Sequence, residues 1–325
     1  MNLSQSYKKE TSFFVFGPTF CTFATFFAGM EKVVGRFAPS PTGRMHLGNV
    51  FSALLSWLSA KSREGQWLLR IEDIDRGRSR QAYADLLMDD LQWLGLSWDG
   101  EPVYQSQRSE VYEHYFQELG QRGLTYPCYC TRADLLATQA PHESDGRVVY
   151  PGTCRNKTPQ PGVPAATRLM VPDETVTFVD GHYGKHSVNL AEQVGDFIIR
   201  RKDGAWAYQL VVVIDDALMG VTEVVRGCDL LLSAPQQIWL AQLLGFKAPQ
   251  FTHLPLLCNQ QGQRLSKRDQ SLDMASLRER YSAQEIIGLL AHQAGLLAEP
   301  APVTPTDLMP LFSWDKVPTN SIIMK

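Results

Sequence analysis

The chain has 325 residues, 44% hydrophobic and 20% charged, the make-up of a globular protein of about two domains. Its formal net charge of −3 excludes a protein that is basic all over, so any nucleic-acid contact must come from local patches. The six cysteines are scattered except for one Cys-x-Cys at Cys128 and Cys130, which suits thiols or metal ligands in a reducing, cytoplasmic setting better than a disulfide framework.

Residues 1–29 fit poorly with the rest of the chain. Lys8 and Lys9 precede a Phe-rich run from Phe13 to Met30 with the outline of a signal peptide, but Gly17-Pro18 interrupts it and it leads straight into a strand. Because Met30 stands just before Glu31-Lys32-Val33, an upstream start or a disordered extension is the preferred reading, with a targeting segment as the alternative. No other stretch is long and apolar enough to cross a bilayer.

Val33 to Phe37 has strand composition, Pro39-Ser40-Pro41-Thr42-Gly43 forbids regular structure, and Val50, Phe51, Leu54, Leu55 and Leu58 recur at helical spacing. A strand, loop and helix in this order put a loop at the carboxyl end of a strand, where helix N–H groups face a bound phosphate. His46 and Gly48 sit at that helix start: the imidazole offers a donor to phosphate oxygens, and the glycine removes a side chain where a ligand comes close. A simple capping turn is the other reading. Trp67 to Ile71 reads as a second buried strand, ending in Glu72-Asp73. If the unit is a parallel βαβ, Arg36 and Glu72 lie near neighbouring strand ends, a guanidinium for a carboxylate and a carboxylate for an ammonium.

Ser79 is placed to cap a helix running to Leu94, and a further helix follows Ser106; their apolar residues read as core. From Tyr126 periodicity fades. Cys128, Cys130 and Cys154 are too few to close a structural zinc site, so a fourth ligand would be Tyr150, His142, a carboxylate or water; three buried free thiols are the alternative. From Thr167 the composition turns β-like, with Asp203-Gly204 a hairpin turn from which Trp206-Ala207-Tyr208 returns. The run Leu210 to Ile214 suits either strand or helix. Glu223 to Gly227 puts Arg226 at a strand end, Ser233 and Pro235 start a helix, and His253 to Leu257 is a short apolar segment. Arg264-Leu265-Ser266-Lys267-Arg268 is a basic loop, functional or merely solvated, before a helical stretch from Leu277 to Leu297.

Taken together, Arg36 to Asn49, Leu68 to Asp73, Asp215 to Gly227 and Arg264 to Arg268 resemble the class I aminoacyl-tRNA synthetases of the glutamyl branch over residues 33–270. That resemblance implies an α/β fold with a Rossmann-type doubly wound parallel sheet in two halves, 30–125 and 191–270, an inserted acceptor-like zinc subdomain at 126–190, and a short helical segment at 271–325 without an anticodon-binding domain. It implies ATP binding by His46, Gly48, Asn49 and Lys267, with catalysis by His46 and Lys267 and with Mg²⁺ accompanying ATP. It places L-glutamate on Arg36, Phe37, Ala38, Pro39, Ser40, Glu72, Tyr208 and Arg226, leaving open which arginine reads the side chain. Arg264 stands where the family loop usually begins with lysine, which moves the catalytic weight to Lys267. The short continuation after Arg268, together with the cysteine region, is similar to the glutamyl-queuosine members of the branch. This implies one structural Zn²⁺ on Cys128, Cys130, Tyr150 and Cys154, and a monomer, with no membrane association, that attaches glutamate to the queuosine base of tRNA(Asp). A compact enzyme charging the 3′ end of tRNA(Glu) is the alternative.

Overall fold

Strand β1 (Val34–Phe37) and strand β2 (Gln66–Ile71) run parallel, Arg36 opposite Leu68, joined by helix α1 (Leu47–Lys61). The computed structural model describes residues 32–131, 134, 149–265 and 272–324. The expectations placed on residues 1–29, His142, Ser266, Lys267 and Arg268 lie outside the described residues. Helix α1 is apolar on nearly every side and is buried from Val50 to Ala60 apart from Ser52. It crosses over the sheet as the connector that parallel strands require.

Strand β3 (Val103–Tyr104) extends the parallel set on the far side of β2. Strands β9 (Glu223–Gly227) and β10 (Gln250–Leu254) form a second parallel pair. The two groups meet at Thr222: its amide donates to the Val34 carbonyl and its hydroxyl accepts from the Val34 amide, each at 2.9 Å. The spatial order is therefore β3-β2-β1-β9-β10, with the chain reversing direction of growth at β1, the place where open α/β sheets form a ligand crevice.

In the sequence between the two groups come the strands of an antiparallel sheet, β4 (Thr125–Cys128), β5 (Ala166–Leu169) and β8 (Phe197–Arg200), and a hairpin of β6 (Thr175–Asp180) and β7 (Gly184–Asn189). Asp196, 2% exposed, pins the region together: it accepts from the Tyr126 hydroxyl, the Arg155 guanidinium and the Val171 amide. Gly195 has φ +68, and a side chain there would meet the Tyr150 backbone at 2.7 Å, so the Tyr150 segment can cross only over glycine.

Several helix boundaries differ from the expectation. Helix α2 (Gln81–Trp93) begins after Arg80, and Ser79 does not cap it, because the Arg78 and Ser79 amides are engaged by the Asp75 carbonyl in a preceding turn. Helix α3 spans Ser109–Gln121. The returning strand at Trp206 is a single bridge to Arg200, and Tyr208 already begins helix α4 (Tyr208–Leu218), which settles Leu210 to Ile214 as helix. Helix α5 spans Ala234–Leu243. The stretch expected as one helix from Leu277 to Leu297 is two, α6 (Met274–Arg280) and α7 (Ala283–Gln293): the Ser282 hydroxyl accepts from the Glu285 amide while the Glu285 carboxylate takes the Ser282 amide, a reciprocal cap that starts a new helix. Core residues of α7, Ile287 and Leu290 among them, pack in the same cluster as Phe51, Leu55 and Trp67. No helix among the described residues is long and apolar enough to cross a membrane.

Candidate active site

The loop after β1 turns back beside the end of β2, where the Pro39 carbonyl accepts from the Glu72 amide at 3.0 Å. It then enters α1 through His46, whose Nδ1 accepts from the Gly48 amide at 3.1 Å while the Asn49 side chain accepts from the His46 amide at 3.1 Å. The structure has the capping turn, and an accepting Nδ1 puts the proton of a neutral ring on Nε2 as a donor. Gly48 has a reason the sequence did not show: a Cβ there would lie 3.0 Å from the His46 ring. His46, Gly48, Gly227, Leu256 and Arg264 line a cavity of about 90 Å³. The described residues on either side of the Lys267 loop bear on this turn, because Asp273 pairs with His46 in an antiparallel bridge and Leu265 is buried against Leu257.

Beside the turn lies a cluster of buried charges. Asp216 of α4 accepts from Arg70 at 2.5 Å and from Arg36 at 3.3 Å; Arg70 also donates to Glu72 at 3.2 Å. The neighbouring acid on the helix, Asp215, accepts from Arg108 at 2.7 Å and from Gln105 and Tyr112 at 2.8 Å, and lies 4.0 Å from Arg70 Nε. Burial pushes the Asp216 carboxyl up, but Arg70 and Arg36 more than reverse this and hold it below its ordinary value. Burial wins at Glu72, whose carboxyl is raised despite Arg70 and Arg36. Glu72, Ser40 and Tyr208 line a cavity of about 430 Å³.

Arg226 differs from the other guanidiniums of the cluster. It is 6% exposed, and its partners are neutral: His253 Nε2 at 3.1 Å, Gln237 Oε1 at 2.7 Å, the Leu230 carbonyl at 3.2 Å and the Tyr208 hydroxyl at 3.5 Å. Among the described residues no carboxylate lies within ion-pair distance of it. Desolvation lowers its pKa and the Arg36 cation adds to this, against the pull of Tyr208 and Asp216.

The residues expected around glutamate divide accordingly. Arg36 and, through Arg70, Glu72 meet at Asp216; Arg226 meets Tyr208, which shares a cavity with Glu72 and the exposed Ser40. Phe37 does not face it: its ring stacks on Trp67 with centroids 5.9 Å apart, and Pro39 is buried, so these two can offer only backbone. Arg70, Arg108 and His253 were not singled out from the sequence. For Arg70 the available signal was a charged residue inside an apolar run; Arg108, in the polar stretch Gln105 to Glu110, offered none.

In the inserted region Cys128 at the end of β4, Cys130 and Cys154 bring their sulfurs within 4.8 Å of one another. The Tyr150 oxygen lies 3.5 Å from the Cys128 sulfur and 3.8 Å from that of Cys130, and Cys130 and Cys154 are 3.5 Å apart. Tetrahedral zinc with Zn–S bonds of about 2.3 Å needs sulfur–sulfur edges of about 3.8 Å, so the set can hold such an ion. Arg168 donates to the Cys128 sulfur at 3.2 Å and lies over the Tyr150 ring, which favours anionic ligands. Burial pushes the Cys154 thiol up, but hydrogen bonds from the Tyr150 hydroxyl, the Tyr129 backbone and the neighbouring thiols bring it to about 7.

Residues 32–287 match the family of class I tRNA synthetases for glutamate and glutamine, catalytic domain. The chain belongs to this family of class I aminoacyl-tRNA synthetases. Among curated relatives, the glutamyl-Q tRNA(Asp) synthetase of Nitratidesulfovibrio vulgaris is 44% identical over 306 residues, covering 89% of this chain and 94% of that protein. The protein of the same name from Deinococcus radiodurans is 46% identical over 290 residues, covering 86% and 96%. A solved glutamate tRNA ligase from Elizabethkingia meningosepticum, in complex with its amino acid, superposes with a TM-score of 0.76 at 30% identity over 91% of this chain and 67% of that one.

Removing Asp216 would leave Arg70, which is fully buried, facing a lost partner. Asp216→Ala should destabilise the chain by about 3–5 kcal/mol, read as a lower urea midpoint at unchanged slope. A loss below about 1 kcal/mol would mean the pair is solvated in solution.

Proposed function

We propose that the chain activates L-glutamate with ATP, in the absence of tRNA, to glutamyl-adenylate and transfers the glutamate to the queuosine base at the wobble position of tRNA(Asp). The observation that carries the substrate choice is that one guanidinium of the cluster touches no carboxylate. Arg36, Arg70 and Arg108 are in contact with Glu72, Asp215 and Asp216, whereas Arg226 meets only neutral partners, Asp180 lying behind the His253 ring. L-glutamate, with two carboxylates and an ammonium, brings one net negative charge, and glutamine brings none. Arg226 then takes the side-chain carboxylate and Glu72 the ammonium, while Arg36 remains beside the α-carboxylate. Glutamine would leave a buried guanidinium unneutralised, which a charged site rejects strongly.

In the first step an oxygen of the α-carboxylate attacks the α-phosphorus of ATP in line, the bond to the β-phosphate oxygen breaks, and pyrophosphate leaves. No protein nucleophile is required; positioning and stabilisation of phosphoryl charge carry the rate. His46 Nε2 and the start of α1 serve one side of the triphosphate. Lys267, Gly48 and Asn49 complete the nucleotide site, and charge neutralisation by Mg²⁺ accompanies ATP when it binds. In the second step a hydroxyl of queuosine attacks the glutamyl carbonyl and AMP departs. ATP and tRNA as co-substrates, and reduced thiols, fit a cytoplasmic enzyme.

The reading assigns a structural Zn²⁺ to Cys128, Cys130, Tyr150 and Cys154 in the insert at 126–190. The ion would supply a cross-link between segments whose buried cluster, among the described residues, consists of Tyr126, Cys128, Tyr150 and Cys154. The purified chain should carry about one zinc per molecule by elemental analysis, and Cys154→Ala should lose it; a metal-free wild type that is fully active would contradict the assignment.

Transfer of labelled glutamate to tRNA from cells that make queuosine and from cells that do not tests the reaction itself. Label is expected only on queuosine-containing tRNA(Asp). Label at the 3′ end of tRNA(Glu) would instead make the chain a compact charging enzyme.

A further inference from the structure

Strand β10 carries a histidine, His253, that is fully buried and has no part in the adenylation or transfer steps. Its Nδ1 lies 2.6 Å from Asp180 Oδ2, and its backbone amide donates to the same carboxylate at 3.2 Å. Asp180 is itself held in the β6–β7 turn by the amides of His182 at 3.0 Å and Tyr183 at 2.9 Å. On the other side of the ring, Nε2 receives the Nε–H of Arg226 at 3.1 Å. A guanidinium has only donors, so Nε2 must present its lone pair and the ring proton must sit on Nδ1, donated to Asp180. The tautomer is fixed from both ends.

The rest of Arg226 is held as tightly. One terminal nitrogen is engaged by Gln237 and Tyr208, the other by the Leu230 carbonyl, and the Phe251 ring lies 4.9 Å from the guanidinium carbon. We propose that Asp180 and His253 form a positioning pair that orients Arg226 for the side-chain carboxylate of the substrate while leaving its charge unspent. This rests on the assignment of Arg226 to that carboxylate. The physical point is the interposed neutral ring: a carboxylate in direct contact with Arg226 would orient it equally well but would neutralise it, and the site would lose its selectivity for an anion. An imidazole satisfies the N–H, and Asp180 sets its tautomer at one remove. Burial, which lowers the His253 pKa against the pull of Asp180, keeps the ring in that neutral form.

The test uses the full chain in glutamate-dependent ATP–pyrophosphate exchange, with KM measured separately for glutamate and ATP. His253→Gln places an acceptor near the former Nε2, whereas His253→Asn keeps a donor toward Asp180 but falls one methylene short of Arg226. His253→Asn is expected to raise the glutamate KM about tenfold, with ATP KM within about twofold, and to weaken discrimination against L-glutamine. His253→Gln should stay within about threefold of the wild type on both counts. Equal loss in the two variants, or parallel changes in the KM of glutamate and ATP, would make His253 merely structural and overturn the proposal. Arg226→Gln is run alongside. If it leaves the glutamate KM unchanged, the assignment of Arg226 has failed and the positioning pair falls with it; if it raises the KM while His253→Asn does not, only the pair is refuted.

Discussion

Two adjacent acids on one helix hold this site together. Asp216 reaches Arg36 and Arg70 on the parallel strands, and Asp215 reaches Arg108 and Tyr112 on the helical side. Buried ion pairs of this kind contribute little net stability, because desolvation offsets the attraction. Their effect is orientation. Arg70, fixed by Asp216, in turn fixes Glu72, and Arg36 is held with its guanidinium toward the Val225 carbonyl at 3.3 Å. The ends of β1, β2 and β9 thereby present their charged side chains in one register.

This arrangement divides the charges that are used internally from one that is not. The paired cations are neutralised within the protein, whereas Arg226 meets only neutral acceptors. If Arg226 receives the substrate carboxylate as proposed, the cost of leaving the guanidinium unpaired falls on every neutral competitor. The His46 turn differs: there the Gly48 amide is taken up by His46 Nδ1, so it is the imidazole Nε2–H that the turn presents as a donor.

What could be read from the sequence depended on how local each feature is. The turn at Pro39 to Gly48 was legible because prolines and glycines forbid regular structure and the apolar spacing changes on either side. The cysteines that come together were legible as residue types, and their convergence depends on antiparallel pairing of β4 with β5 across a long separation, which spacing does not encode. Arg70 was hidden in the middle of an apolar strand, and His253 in a short apolar segment, since burial of a charged or polar side chain is decided by a partner far along the chain. Leu210 to Ile214 was ambiguous because a short apolar run fits both periods. The break between α6 and α7 could have been found: Ser282 followed by Glu285 is a capping signature that length alone obscured.

The proposed seat of the side-chain carboxylate on Arg226 can be seen directly. The most direct measurement is a crystal structure with a non-hydrolysable glutamyl-adenylate analogue. The γ-carboxylate is expected on Arg226 and Tyr208, the ammonium on Glu72, and the adenylate phosphate beside His46. A γ-carboxylate seated on Arg36, with Arg226 still among its neutral partners, would contradict that placement.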